Sequence, residues 1–223
     1  VTIAAVVTAA GSGSRLGADV PKALLHVEGR ALVAWAVSRL GEIAEAVVVT
    51  APAAHLSAFE EAVDGAARVV AGGDTRQDSV AAGLAALALD DDDIVLIHDA
   101  ARAFQDPSVA AATVRAVQSG ADGAIPVLPV VDTLVTAPGP DGSVGDPVDR
   151  EAFRAVQTPQ TFRARVALDA HRRGSAGATD DASLARELGY RIVAVDGHEW
   201  GFKVTRPSDL PLALSIAAQL EAP

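Results

Sequence analysis

From Val1 to Val131 the chain alternates short apolar, β-rich runs with stretches of helical spacing, and this alternation narrows the possible folds more than any single motif. The apolar runs are Val1 to Thr8, Ala46 to Thr50, Arg68 to Ala71, Ile94 to Ile97 and Gly123 to Val131. Between them, Ala31 to Leu40 puts Leu32, Trp35, Ala36 and Leu40 on one helical face, and His55 to Val63 has an acidic outer side. A further helix runs to Leu89, and Pro107 to Gln118 carries its proline in the first turn, where a missing N–H costs little. Strands joined through helices imply a mostly parallel sheet with right-handed crossovers, flanked by helices in an α/β fold. Pro126 and Pro129 place the fifth run near an edge or a bulge.

In such a sheet, ligands gather beyond the carboxyl ends of the strands. Three segments follow strands directly and should share that edge. The first is Ala9-Ala10-Gly11-Ser12-Gly13-Ser14-Arg15-Leu16-Gly17, continuing to Pro21-Lys22. It is about twice the usual length of a strand-to-helix connection. Its glycines let backbone approach a ligand, and its two cations suit a polyphosphate. The second is Gly72-Gly73-Asp74-Thr75-Arg76-Gln77-Asp78-Ser79, and the third His98-Asp99-Ala100-Ala101-Arg102. Taken alone, Asp99 reads as an ordinary helix cap. Beside Arg102 and the glycine loop it becomes a candidate for magnesium or for substrate hydroxyls. His98 reads as a structural imidazole satisfied by backbone groups, and Arg76 and Ser79 as either helix-start decoration or ligand contacts. The acidic run Asp90 to Asp93 reads as a solvated turn.

The glycine loop is not a Walker A site, because Lys22 follows Pro21 rather than Gly. Nor does it match a dinucleotide fingerprint: Gly17 comes one residue late, and Thr50-Ala51-Pro52 stands where an acid should end the second strand. The cation inventory adds weight to it. The chain has sixteen arginines but two lysines, Lys22 and Lys203. Arginine and lysine interchange on a solvated surface but not where a compact ammonium is needed.

The alternation breaks at Asp132 to Arg150. The turn cluster Pro138-Gly139-Pro140-Asp141-Gly142 separates two β-like pieces, Thr133 to Thr136 and Ser143 to Val148. A hairpin without a long apolar face is marginal in water, so it should lean on something else, such as a second subunit. Beyond it, helices are expected from Phe162 to His171, after the capping sequence Thr179-Asp180-Asp181-Ala182-Ser183, and from Pro207 to Leu220. Strands are expected at Tyr190 to Val195 and Glu199 to Thr205.

At 223 residues the chain suits one α/β domain, residues 1–223, with 132–150 as an arm. No apolar run reaches the roughly 18 residues of a membrane span. The net charge of −11 argues against a general nucleic-acid binder, though not against a small polyanion held in one cleft. Without cysteine there is no thiolate chemistry or zinc–cysteine site. With no basic-then-apolar leader visible, the expected location is the cytoplasm.

The three loop segments, together with Asp132-Thr133, Val148-Asp149-Arg150, Thr158-Pro159-Gln160, the Thr179 to Ser183 block and Lys203-Val204-Thr205-Arg206-Pro207, resemble the 2-C-methyl-D-erythritol 4-phosphate cytidylyltransferase family. The blocks stand in family order across nearly the whole chain. One departure is Ala103, where the family usually has proline. The resemblance implies a Rossmann-like, nucleotide-diphospho-sugar transferase-like fold with a protruding β-arm, a homodimer formed through that arm, and CMP transfer from CTP to methylerythritol phosphate with magnesium. It also implies roles. Arg15 and Lys22 would stabilise the transition state, and Lys203 with a partner's Arg150 would hold the incoming phosphate. Ala9, Ala10, Gly11, Gly13, Gly73, Asp74 and Ser79 would hold the nucleotide. Asp99, Arg102, Thr133 and Thr158 would bind the substrate, with Asp99 near the metal. A sibling ribitol 5-phosphate cytidylyltransferase shares the loop and the reaction type. A nicotinamide or regulatory nucleotide module is the rival from another class.

Overall fold

A computed structural model describes residues 1–10, 20–175, 177, 178 and 180–221. Gly11, Gly13 and Arg15 lie outside the described residues. The strands are β1 (Ile3–Thr8), β2 (His26–Val27), β3 (Arg30–Ala31), β4 (Ala46–Ala51), β5 (Arg68–Ala71), β6 (Ile94–Asp99), β7 (Gly123–Pro129), β8 (Leu134–Val135), β9 (Pro147–Val148), β10 (Arg154–Val156), β11 (Gln160–Arg163) and β12 (Ile192–Asp196). The α-helices are α1 (Leu32–Gly41), α2 (Leu56–Val63), α3 (Arg76–Ala86), α4 (Pro107–Gln118), α5 (Ala164–Arg173), α6 (Asp181–Glu187) and α7 (Leu210–Glu221).

The main sheet runs β10-β7-β11-β6-β1-β4-β5, with β12 also paired to β7. Pairings β1–β4, β1–β6, β4–β5 and β7–β12 are parallel, whereas β11 is antiparallel to both β6 and β7 and β10 is antiparallel to β7. The mostly parallel sheet is therefore as expected, but its antiparallel insertion at β11 is not visible as an apolar run. Gln160 and Thr161 are buried polar residues, satisfied by Asp180, by the Ala182 N–H and by Thr113.

Both sheet faces are covered, which is why its central strands read as unbroken apolar runs. Ala5 and Val7 of β1 and Ile94 and Leu96 of β6 pack with α1, α2 and α4, while Val6, Val95 and Ile97 pack with α3, α5 and α6. That division follows the two-residue alternation of side chains along a strand. A third apolar cluster joins Trp35, Phe104, Val204 and Ile216, tying α7 to the rest.

Several expectations change. β7 is not an edge strand: β10 and β11 pair with it, and so does β12. Pro126 has no N–H to donate, but its carbonyl still accepts from the Gln157 N–H at 2.8 Å. Glu199 to Thr205 is not a strand but a 3-10 turn, Glu199–Gly201, followed by extended chain fixed by a Val204 N–H to Ala101 carbonyl bond of 2.9 Å. In the acidic run, Asp93 is buried and accepts from the backbone N–H groups of Thr2 and Asp90, so it stitches the start of β1 to the turn. A small β2–β3 hairpin precedes α1 and turns through Glu28 and Gly29, both at positive φ, the conformation that suits the twist of a two-residue hairpin turn.

The arm forms a separate two-stranded sheet, with Leu134 opposite Val148 and Val135 opposite Pro147. It is shorter than the sequence pieces suggested. Its turn is closed by side-chain and backbone bonds within Thr136 to Asp146.

Candidate active site

The strand ends bring the described ends of the first segment together with the second and third segments, as the topology requires. Thr8 at the end of β1 pairs in register with Thr50 of β4 and Asp99 of β6. Around these ends lies a cavity of about 420 Å³, within the range of small-ligand sites. Its lining includes Ala9, Ala10 and Lys22 from the first segment, Gly73, Asp74, Arg76 and Ser79 from the second, Asp99 from the third, and Lys203. The chain's two lysines thus meet across one cavity, although they stand at opposite ends of the sequence.

The second segment is held in shape by its own side chains. Thr75 and Asp78 form a reciprocal capping box at the start of α3. The Ser79 hydroxyl accepts from the Gly73 N–H at 3.2 Å and donates to the Thr75 carbonyl at 2.9 Å. Ser79 is therefore engaged in shaping the Gly73 turn. Gly72 allows close approach: a Cβ there would lie 2.8 Å from both the Ala10 Cβ and the Ser79 Oγ. First and second segments can only touch because that side chain is absent.

Asp99 is the electrostatic centre. Its Oδ2 accepts from Lys203 Nζ at 2.7 Å and its Oδ1 from Arg76 Nε at 3.2 Å. Burial would raise the Asp99 carboxyl, but the Arg76 and Lys203 charges, reinforced by the Lys203 hydrogen bond and Arg102, hold it well below the usual carboxylate range. Asp99 is thus ionised at neutral pH, with cations arrayed around it.

Behind Asp99 sits His98, almost wholly buried. Its Nε2 lies 3.2 Å from the Arg102 carbonyl and its Nδ1 2.9 Å from the Thr158 hydroxyl. A carbonyl can only accept, so Nε2 carries the proton and Nδ1 accepts from Thr158. Burial pushes the imidazole down to about 4, outweighing the neighbouring Asp99 charge, so His98 is neutral at pH 7. The expectation of a structural histidine is met, with one of its two partners a side chain rather than backbone. Thr158 Oγ1 also accepts from the Asp99 N–H at 3.1 Å. Its proton committed to His98, this hydroxyl acts here by fixing Asp99.

Arg102 does not line the cavity. It ties the Gly201 and Val156 carbonyls together at 2.7 and 3.1 Å, and its buried Nε has no partner among the described residues. Ala103, the departure from the family pattern, packs wholly buried in the Trp35 cluster. The turn holds without proline through the Arg102 N–H to Asp99 carbonyl and Gln105 N–H to Arg102 carbonyl bonds of 2.9 and 3.1 Å.

Thr133 and Arg150 lie exposed on the arm, away from the cavity lining of their own chain. Arg150 donates to the Val131 carbonyl at 2.6 Å. Arg76 is the residue that sequence reasoning left undecided; it lines the cavity and bridges Asp99 to the buried Asp181. The preceding Gly-Gly pair, which admits close backbone approach, was the available signal.

A family model described as 2-C-methyl-D-erythritol 4-phosphate cytidylyltransferase matches residues 3–219. A protein of Saccharopolyspora erythraea with that name is 42% identical over 97% of this chain and 100% of its own length. A bifunctional enzyme IspD/IspF of Clavibacter michiganensis subsp. michiganensis is 48% identical over 96% of this chain, which spans only 54% of that relative. The crystal structure of the 2-C-methyl-D-erythritol 4-phosphate cytidylyltransferase from Thermus thermophilus superposes with a TM-score of 0.81 at 38% identity, covering 98% of this chain and 100% of the other.

Proposed function

The chain belongs to the 2-C-methyl-D-erythritol 4-phosphate cytidylyltransferase family, and from that premise we propose that it transfers CMP from CTP to 2-C-methyl-D-erythritol 4-phosphate. The products are 4-diphosphocytidyl-2-C-methyl-D-erythritol and pyrophosphate, in the making of isoprenoid precursors. An oxygen of the substrate phosphate bonds to the α-phosphorus of CTP, and the bond from that phosphorus to the bridging oxygen of the β-phosphate breaks. The observation that carries the proposal is the ionised Asp99 ringed by Lys203 and Arg76 in a cavity that Lys22 and the Gly73 turn also line.

The chemistry explains why no general base stands out. A phosphate monoester has a second pKa of about 6, so it is already an anionic nucleophile near neutrality. His98, neutral and locked between Arg102 and Thr158, needs no part in proton transfer. The difficulty is to bring two polyanions together and to stabilise charge on the leaving pyrophosphate, which fixed cations and positioning accomplish. Lys22 faces the triphosphate, with Arg15 of the same loop as its counterpart. Ala9, Ala10, Gly73 and Asp74 form the nucleotide side, with Ser79 shaping the Gly73 turn, and the family resemblance assigns the same role to Gly11 and Gly13. Lys203 and Asp99 form the substrate side, Arg102 adds its charge from beside the cavity while holding the Gly201 and Val156 carbonyls, and Thr158 serves that side by orienting Asp99.

A divalent cation fits this set in one specific way. Among the described residues no cluster of three acidic or histidine side chains could cage it, and Asp99 and Asp74 are the carboxylates lining the cavity. Magnesium is commonly held by one or two carboxylates with substrate phosphates and water; Asp99 would serve it by exchanging its Lys203 or Arg76 contact for the cation, since both its oxygens accept from those side chains. When bound, it would neutralise charge on the triphosphate.

The arm supports a homodimer. Val131, Val135, Val144, Phe153 and Val156, on or beside it, are exposed apolar side chains that a second copy would cover. Arg150 and Thr133 would then enter the neighbour's cavity and complete its substrate side. No helix among the described residues is long and apolar enough to cross a membrane, and a cytoplasmic location suits a pathway of small phosphorylated metabolites.

The test is pyrophosphate release from CTP with a panel of polyol phosphates. Preference for ribitol 5-phosphate would overturn the substrate assignment but leave the transfer reaction. Absence of release with every acceptor would overturn both. In Arg150→Ala, the requirement for methylerythritol phosphate should rise at unchanged CTP affinity; a fall in CTP affinity instead would show that the arm serves the nucleotide.

A further inference from the structure

Arg76 faces two ways. Its Nε reaches Asp99 at 3.2 Å inside the cavity, while its Nη2 reaches Asp181 at 2.7 Å. Asp181 does not line the cavity; it lies at the start of α6, 2% exposed. Its second oxygen accepts from His171 Nε2 of α5 at 3.0 Å. The His171 side chain is buried, and its Nδ1 has no hydrogen-bond partner among the described residues. A chain of side chains therefore runs from the cavity to the α5–α6 pair: Asp99, Arg76, Asp181, His171.

Helix capping does not account for Asp181. The cap of α6 is Asp180, whose side chain accepts from the Ser183 N–H, while the Ala182 N–H goes to Gln160. Both carboxylate oxygens of Asp181 go to side chains. Burial would raise its carboxyl, but the His171 hydrogen bond and the Arg76 charge hold it below the ordinary carboxylate range, so it is ionised at neutral pH. Stability is a weak reason for such a group, since a buried ion pair contributes little beyond what well-packed apolar residues would. A geometric reason is stronger. A planar guanidinium shared between two fixed carboxylates has its plane and reach determined, which a single partner does not ensure.

We propose that Asp181 is a positioning residue for cytidylyl transfer: by holding Arg76 from behind, it makes Arg76 orient Asp99 and keeps that arginine's charge from the triphosphate. This rests on the transfer reaction proposed above. Arg76, Arg102 and Lys203 supply three positive charges here, and Asp99 and Asp181 two negative ones. Without Asp181 the site gains one net positive charge, and Arg76 is free to swing toward the nucleotide. Ground-state binding of the triphosphate then strengthens while the alignment of Asp99 and its Lys203 is lost. Tighter binding with slower turnover is the signature of a charge that has left its transition-state position.

The experiment compares CTP affinity by calorimetric titration, and kcat by pyrophosphate release, in the full-length protein and its variants. Asp181→Asn should bind CTP about fivefold more tightly, the effect of roughly one added unit charge at a partly solvated site. Its kcat should fall about tenfold, as expected for a modest misplacement of reacting groups. In Arg76→Gln with Asp181→Asn the gain in affinity should vanish. Arg76→Lys, whose ammonium cannot span both carboxylates, should lose turnover to a similar degree, and it carries the test if Asp181→Asn does not fold. Unchanged or weaker CTP binding in Asp181→Asn, persistence of the gain without Arg76, or normal kcat in Arg76→Lys would each overturn the assignment. If the wild-type protein binds CTP but releases no pyrophosphate, it is the reaction reading that falls.

Discussion

Replacing Asp99 by asparagine keeps the shape of the side chain and removes the charge on which the cavity is centred. Asparagine can offer one acceptor oxygen, but its amide NH₂ is a donor that must then face Lys203 Nζ or Arg76 Nε, where a carboxylate oxygen now accepts at 2.7 or 3.2 Å. Breaking a buried ion pair by removing one partner costs about 3–5 kcal/mol. Here the orphaned cations are partly hydrated, the Lys203 side chain being 41% and the Arg76 side chain 30% exposed, so the low end applies, about 3 kcal/mol. For a domain of this size that corresponds to a fall in Tm of roughly 6–12 °C. Turnover should fall by about 100-fold or more, the scale of losing one group of a preorganised electrostatic site. Differential scanning calorimetry and steady-state pyrophosphate release measure the two effects. A variant melting within about 2 °C of the parent and turning over within about threefold of it would refute the placement of Asp99 at the centre of the site.

Lys22→Arg should lose most turnover despite retaining its charge, because a planar fork cannot replace a compact ammonium; near-normal kcat would show that the scarcity of lysine carries no chemical meaning. Gly83→Ala should destabilise by about 1–3 kcal/mol through overpacking, since a Cβ there meets Val6 and Thr50 at the α3–sheet contact, and denaturant melts would reveal an unchanged midpoint if that contact can give. Acid should destabilise the protein through Asp99 and Asp181. Both have folded-state pKa values depressed below the unfolded value of about 3.9, so their contribution is full above that pH and is lost as pH falls below it. Urea melts between pH 7 and 3 should show the loss concentrated at the acid end, and Asp99→Asn should flatten it.

The sheet was legible from sequence because its central strands are buried on both faces. Arg68–Ala71 and Pro107–Gln118 have the bounds that the pattern predicted. What escaped the pattern were segments whose stability depends on partners. β11 is a four-residue strand with buried polar side chains, so no apolar period marks it. The stretch around Trp200 has the apolar composition of a strand, yet among the described residues no neighbour pairs with it as a ladder, and it turns instead. In the Asp180-Asp181 pair, sequence suggested one capping unit. The structure divides the labour: Asp180 caps, and Asp181 holds Arg76.

By itself the sequence determined the chemical inventory and the edge on which it gathers. Parallel strands all deliver their following loops to the same side, so the segments after β1, β5 and β6 had to meet. It also singled out two lysines, and both line the cavity. Only tertiary structure decided which charges neutralise which. Lys203 reaches Asp99 across 104 residues and Asp181 reaches Arg76 across 105, distances over which no local period carries information. Those pairings follow from packing α5, α6 and the Trp200 turn against the sheet. The resulting burial makes each charge dependent on its partner, so the pairing of these groups is a property of the folded chain.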